Sequence, residues 1–173
     1  MNTGFDTIFE HRIPIMDFRL KWRFTEEKYD VIPEDHLQQF IPLDKEASQF
    51  LWDYIARSGL HDQIPFAGNY FKTTDKAKLS VANDSEIKKW LYRRGFPFDK
   101  MVFLSWQPGE AMIVPWKLLI KYVNAFYYSG DDLTVIDQSL NWALLFYHED
   151  EVYFGTNEKY KPEENAGDEL FIW

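Results

Sequence analysis

The segment His148-Glu149-Asp150-Glu151 is the densest run of residues in the chain that can move protons or hold a metal. An imidazole and carboxylates are suitable ligands for a divalent cation, and a carboxylate can act as a general base. Their spacing argues against a complete site, because adjacent side chains at a tight hairpin tip point apart. Asp131, Asp132 or Asp137 would have to supply the missing ligands. The simpler reading is a charged tip that keeps a sheet edge soluble. The remaining histidines have less context still. His36 follows Glu34 and Asp35 in the first turn of an expected helix, where acids complement the helix dipole. His61 can pair with Asp62, but no hydroxyl nucleophile in a familiar context accompanies it. His11 lies near an N-terminus expected to fray. The chain has no cysteine, which removes disulfides, thiolate zinc sites and cysteine nucleophiles together. No Ser-His-Asp arrangement, phosphate loop, dinucleotide fingerprint, GxSxG elbow or HExxH helix is present. The sequence therefore assigns no catalytic residue, no metal ligand and no cofactor.

The elements that must position any site come from hydrophobic patterning. A chain of 173 residues with 46% hydrophobic residues suits one domain with a substantial core. Met16, Phe18, Leu20, Trp22 and Phe24 alternate with Asp17, Arg19, Lys21 and Arg23, which predicts a half-buried strand over Met16–Phe24. Residues 33–40 suit a short helix, and Asp44–Ser58 a longer one with Asp44 as cap and Gly59 as closure. Its inward stripe is Ala47, Phe50, Leu51, Tyr54 and Ile55. Residues 60–82 are rich in turn formers and predict a loop with one short strand. Asn83 and Glu86 have capping-box spacing before a helix over Asp84–Arg94, with Ile87, Trp90 and Leu91 inward and Arg93 and Arg94 outward. Met101–Trp106 and Ala111–Val114 read as a hairpin, with Pro108-Gly109 favouring a type II turn. A helix follows from Pro115 to Tyr127. Leu133–Asp137 reads as a strand, and 142–148 with 152–154 as a second hairpin. Its apolar first strand suits a central position covered on both faces. The order predicts an α+β fold: a mostly antiparallel sheet with about three helices packed on one face, as a single domain.

Residues 156–168 are polar and expected to be mobile. The terminal cluster Leu170-Phe171-Ile172-Trp173 is expected to dock, as an added edge strand or as a homodimer hook.

Charge narrows the partners. The net charge of −9 disfavours nucleic acid and anionic membrane, which call for basic surfaces. Residues 122–173 hold eleven Asp/Glu against two Lys, an acidic region suited to steering a basic protein. Within it, Asp131, Asp132, Glu149, Asp150, Glu151 and Tyr153 are the candidate partner-binding residues. The chain also holds 15 Phe, 10 Tyr and 7 Trp, most of them on expected buried faces. Trp106, Tyr128, Tyr153, Tyr160 and Trp173 are the rings this core explains least. No apolar run reaches the roughly 18 residues of a membrane span, and no secretory signal is visible, so a cytoplasmic location is expected.

The stretches 106–116 (WQPGEAMIVPW) and 142–155 (WALLFYHEDEVYFG) resemble small acidic bacterial proteins of uncharacterised function. The second also resembles the aromatic hairpins of toxin-immunity proteins. That resemblance implies a non-catalytic cytoplasmic binding protein and carries over no site residue. Two other classes remain: a metal-assisted hydrolase built around the His148 hairpin, and a carbohydrate-binding module built on Trp and Tyr platforms.

Overall fold

The computed structural model describes residues 3–26, 31–79 and 84–157. Among these, seven strands form one antiparallel sheet: β1 (Ile41–Pro42), β2 (Thr73–Lys78), β3 (Met101–Gln107), β4 (Glu110–Pro115), β5 (Leu133–Ile136), β6 (Trp142–Tyr147) and β7 (Glu151–Thr156). Their order across the sheet is β1-β4-β3-β5-β6-β7-β2. Six α-helical segments accompany them: α1 (Trp22–Thr25), α2 (Glu34–Leu37), α3 (Lys45–Ser58), α4 (Asp84–Tyr92), α5 (Trp116–Lys121) and α6 (Val123–Phe126). The fold is α+β with an antiparallel sheet, as the patterning implies.

The helices do not share one face. Every residue of β4 and β5 is buried, so both sides of the central sheet need a cover. On one side, Ala47, Leu51 and Ile55 of α3 meet Phe103, Ile113, Ala143 and Leu145. On the other, α4, α5, α6 and the N-terminal segment enclose Val102, Leu104, Val114, Val135, Leu144 and Phe146. The result is three layers, with more and shorter helical pieces than periodicity implies.

Helix α3 forms from local signals. The Asp44 carboxylate accepts from the Ala47 backbone N–H at 2.9 Å, satisfying an orphan donor of the first turn. Gly59 closes the helix at φ +76°, a conformation that only glycine adopts without strain. The other carboxylate oxygen of Asp44 bonds His11 Nδ1 at 2.9 Å, so the segment expected to fray is pinned to the helix start. Asp44→Ala loses both contacts and should cost about 1–2 kcal/mol, within the range for lost caps. Urea unfolding checks this, and an unchanged midpoint would refute it.

The expected strand over Met16–Phe24 does not form. A 3-10 turn spans Ile15–Asp17 and α1 follows at Trp22. Backbone bonds run locally, from Lys21 N–H to Phe18 O and from Phe24 N–H to Lys21 O, instead of to a neighbouring strand. Phe18, Leu20 and Phe24 are buried, but Met16 is 58% exposed and Arg23 only 3%. Alternation cannot separate a strand within a sheet from irregular chain laid across one. Here Phe18, Leu20 and Phe24 enter the core from successive turns.

Four further departures are smaller. Arg94 is buried, not outward. The helix expected from Pro115 to Tyr127 breaks at Tyr122, whose φ of −112° and ψ of 33° are not helical. Gly109 lacks a positive φ, so the β3–β4 link is not a type II turn. Its register instead shifts between Ser105 and Gln107, a bulge at Trp106. Thr156 is buried at the end of β7 and the Asn157 N–H bonds Asn141 O just beyond it, so both are anchored to the sheet and not part of a loose tail. Asn83, residues 158–168, Tyr160 and the terminal Leu170–Trp173 lie outside the described residues.

Candidate functional site

The β6–β7 turn presents the acidic tip. Tyr147 pairs with Glu151 and leaves His148, Glu149 and Asp150 as a three-residue loop. Asp150 closes it at φ +60°, the left-handed region that Asp tolerates better than most residues. These side chains separate, as the hairpin argument implies. His148 Nδ1 lies 3.0 Å from Asp132 Oδ1, which also accepts from the His148 backbone N–H at 2.8 Å. Asp150 Oδ1 turns back to the Tyr127 hydroxyl at 3.0 Å and the Ser129 hydroxyl at 3.2 Å. Burial and the adjacent Asp150 carboxylate push the Tyr127 phenol well above its usual range. Glu151 accepts from the Tyr153 hydroxyl at 2.6 Å. That bond, then burial, pushes Tyr153 up to about 12. Glu149 stays exposed at the apex.

Asp131 and Asp132 follow Gly130, whose φ of +97° turns the chain into β5. Asp131 pairs with the buried guanidinium of Arg23, which also stacks 5.2 Å from the Tyr128 ring. Asp132 reaches the tip through His148. The candidate acids from the two loops therefore adjoin. Tyr153 stands one strand further out, paired with Leu145 of β6.

Asp131, Asp132 and Leu145 also line a cleft of about 530 Å³ between α3, the loop after it and the β3–β5 strands. That volume lies within the range of small-ligand sites. Its wall carries Trp52 of α3 and Ile64, respectively 39% and 54% exposed. Its buried side holds Ser105, Thr134 and the partly buried His61. Ser105 and Thr134 are register partners on neighbouring strands. Asp62 completes the lining acids, and among the described residues no Lys or Arg lines the cleft.

His61 does not pair with Asp62. Its Nδ1 lies 2.8 Å from Pro65 O and its Nε2 lies 2.9 Å from Thr134 Oγ1. A carbonyl only accepts, so Nδ1 carries the proton and bare Nε2 accepts from the Thr134 hydroxyl. Burial lowers the His61 pKa, against the raising effects of that carbonyl bond and of Asp132. This pair has the hydroxyl and imidazole of a nucleophilic relay with a carbonyl where a carboxylate would stand. A carbonyl fixes the tautomer but stabilises an imidazolium less, and burial disfavours the charged ring further. The arrangement leaves His61 neutral and a weaker base than a histidine backed by a carboxylate.

Among the described residues, no three His, Asp or Glu side chains gather so as to hold a metal ion. No helix among them is long and apolar enough to cross a membrane. Trp106 is buried, donating its indole N–H to Phe126 O at 2.9 Å, so the core explains it after all. Compared with protein families, curated proteins and solved structures, the chain matches none.

Residue type alone pointed to the acids. It missed Trp52, Ser105 and Thr134, and it gave His61 the wrong partner. The turn-rich context of His61 was visible, but Thr134 lies 73 residues away and only the sheet joins them.

Proposed function

We propose that this protein is a non-catalytic acidic module that binds a basic protein, as an immunity-type inhibitor does. The observation that carries this reading is the meeting of two acidic loops, 131–132 and 149–151, beside one cleft edged by an exposed Trp52. Separated carboxylates steer a basic partner, and an exposed indole beside a concavity supplies affinity.

Salt and charge reversal test the reading on whichever basic protein immobilised wild type retains from lysate of the source cell. Association should slow as salt rises, because the Debye length falls from about 10 Å at 0.1 M to about 3 Å at 1 M. Glu149→Lys with Glu151→Lys should slow it by about tenfold, at the lower end of measured steering effects. Asp150 is left in place because its bonds to Tyr127 and Ser129 hold the tip. Stopped-flow rates decide: a rate indifferent to both salt and reversal would remove the acidic face as the docking surface.

A further inference from the structure

The cleft has a chemical bias beyond its acidic edge. Asp131 already faces Arg23, so its charge is spoken for. Asp132 uses Oδ1 for His148, and Asp62 is exposed at the opposite loop. Neither faces a lysine or arginine among the residues that line the space.

A second observation is independent of the acids. Ser105 is 3% exposed and lines the cleft, yet its Oγ has no hydrogen-bond partner among the described residues. A buried hydroxyl left unpaired costs about 1–3 kcal/mol, so an orphan at a cavity wall marks where a ligand group belongs. The neighbouring Thr134 hydroxyl has given its hydrogen to His61 and offers lone pairs only. The polar groups on this side therefore suit a ligand rich in donors. Trp52 adds an exposed π-face at the same opening.

Resting on the partner-binding reading above, we propose that this cleft receives an arginine side chain of the basic partner. A guanidinium has five donors and no acceptor, and it is planar and weakly hydrated. In the cleft it meets the Asp132 and Asp62 carboxylates, the Ser105 hydroxyl and the Trp52 ring. An ammonium shares the charge but stacks less well and lacks the planar fork of donors that spans carboxylate and hydroxyl. A neutral isostere loses the charge altogether.

The test uses small probes on the intact protein, so it does not depend on knowing the partner. N-acetyl-arginine amide is titrated while NMR follows the Trp52 indole N–H, the His61 ring and the Thr134 amide. N-acetyl-citrulline amide and N-acetyl-lysine amide serve as the neutral and the ammonium arms. The expected result is saturable shifts at all three residues with the arginine probe and none with citrulline. Lysine should bind about tenfold more weakly, the equivalent of one lost charge-assisted hydrogen bond of about 1.4 kcal/mol. Asp132→Asn, at an exposed side chain, should weaken the arginine probe about tenfold on the same scale. Equal binding of citrulline, or shifts confined to the 148–151 tip, overturns the proposal on wild-type protein alone. Should the cleft ignore the probe while the captured partner still responds to tip reversal, this inference falls and the partner-binding reading stands. A probe that fills the cleft alongside a salt-indifferent partner supports the cationic site and removes only the steering role.

Discussion

Gly155→Ala should destabilise this protein more than a methyl group added at any other glycine among the described residues. A Cβ on Gly155 would stand 2.1 Å from Phe71 Cδ2 and 2.7 Å from two further ring carbons. Phe71 cannot easily retreat, because its ring packs edge-on against Phe66 at 5.0 Å and Tyr70 at 4.8 Å between centroids. Overpacking a filled core costs roughly 1–3 kcal/mol and occasionally more. The short contact and the locked aromatic cluster place Gly155→Ala near about 3 kcal/mol. For a chain of this size that lowers the melting temperature by about 6–12 °C. Phe71→Leu in the same background should recover part of the loss by vacating the contact. A double-mutant cycle then gives a favourable coupling of about 1 kcal/mol or more, whereas independent sites add within about 0.5 kcal/mol. Strict additivity would show that the two residues do not collide.

The second large effect is expected at Arg94. Its side chain is 1% exposed, with Nη1 3.0 Å from Asp75 Oδ2 and Nε donating to Trp90 O at 2.9 Å. The guanidinium lies 3.9 Å from the Trp90 ring centroid and 5.1 Å from that of Phe154. Through Asp75 it ties α4 to the edge strand β2. Breaking a fully buried ion pair costs about 3–5 kcal/mol, because the abandoned charge stays buried. Asp75 is 41% exposed and can return to water, which discounts that figure. The lost packing of the arginine stem acts in the other direction. Arg94→Ala should therefore cost about 2–4 kcal/mol in urea unfolding. Arg94→Lys should still lose about half of that, since an ammonium cannot hold Asp75 and Trp90 O together in the same plane. A loss below about 0.5 kcal/mol for the alanine variant, the size of an ordinary surface change, would refute the structural role.

Arg94 also shows where the sequence stops being readable. At the basic end of a short amphipathic helix, an arginine is outward by default. The approach of Asp75 and Phe154 from other elements buries it. Arg23 is the same case, drawn inward by Asp131 across 108 residues. By contrast, α3 was legible throughout, because Asp44, the apolar stripe and Gly59 act within one stretch of chain. Both hairpins were legible for the same reason, although the β3–β4 turn was misjudged. The double covering of β6 was written in its unbroken apolar run. The same logic, extended to β3, β4 and β5, would have placed helices on both faces. At the site, the acids could be read by type, but the cleft could not. It requires α3, its following loop and three strands to meet, and the orphaned Ser105 hydroxyl becomes notable only once its surroundings are fixed.

The tie from Tyr127 and Ser129 to Asp150 bears on how a partner would lose freedom on binding. A hairpin tip usually samples many arrangements, and a partner that docks there must freeze them at a cost of about 0.5–1.5 kcal/mol for each rotamer-rich side chain. Here Asp150 is already held in its left-handed turn, the Asp150 carbonyl accepts from the Leu79 N–H at 2.8 Å, and Asp132 grips His148 from the far side. The phenol making the first of these contacts keeps its proton well above neutral pH, so the tether persists across the physiological range. The backbone that carries Glu149 thus stands in place before any encounter. Much of the ordering entropy of the tip is spent during folding, and a protein docking there as proposed would meet a preformed backbone.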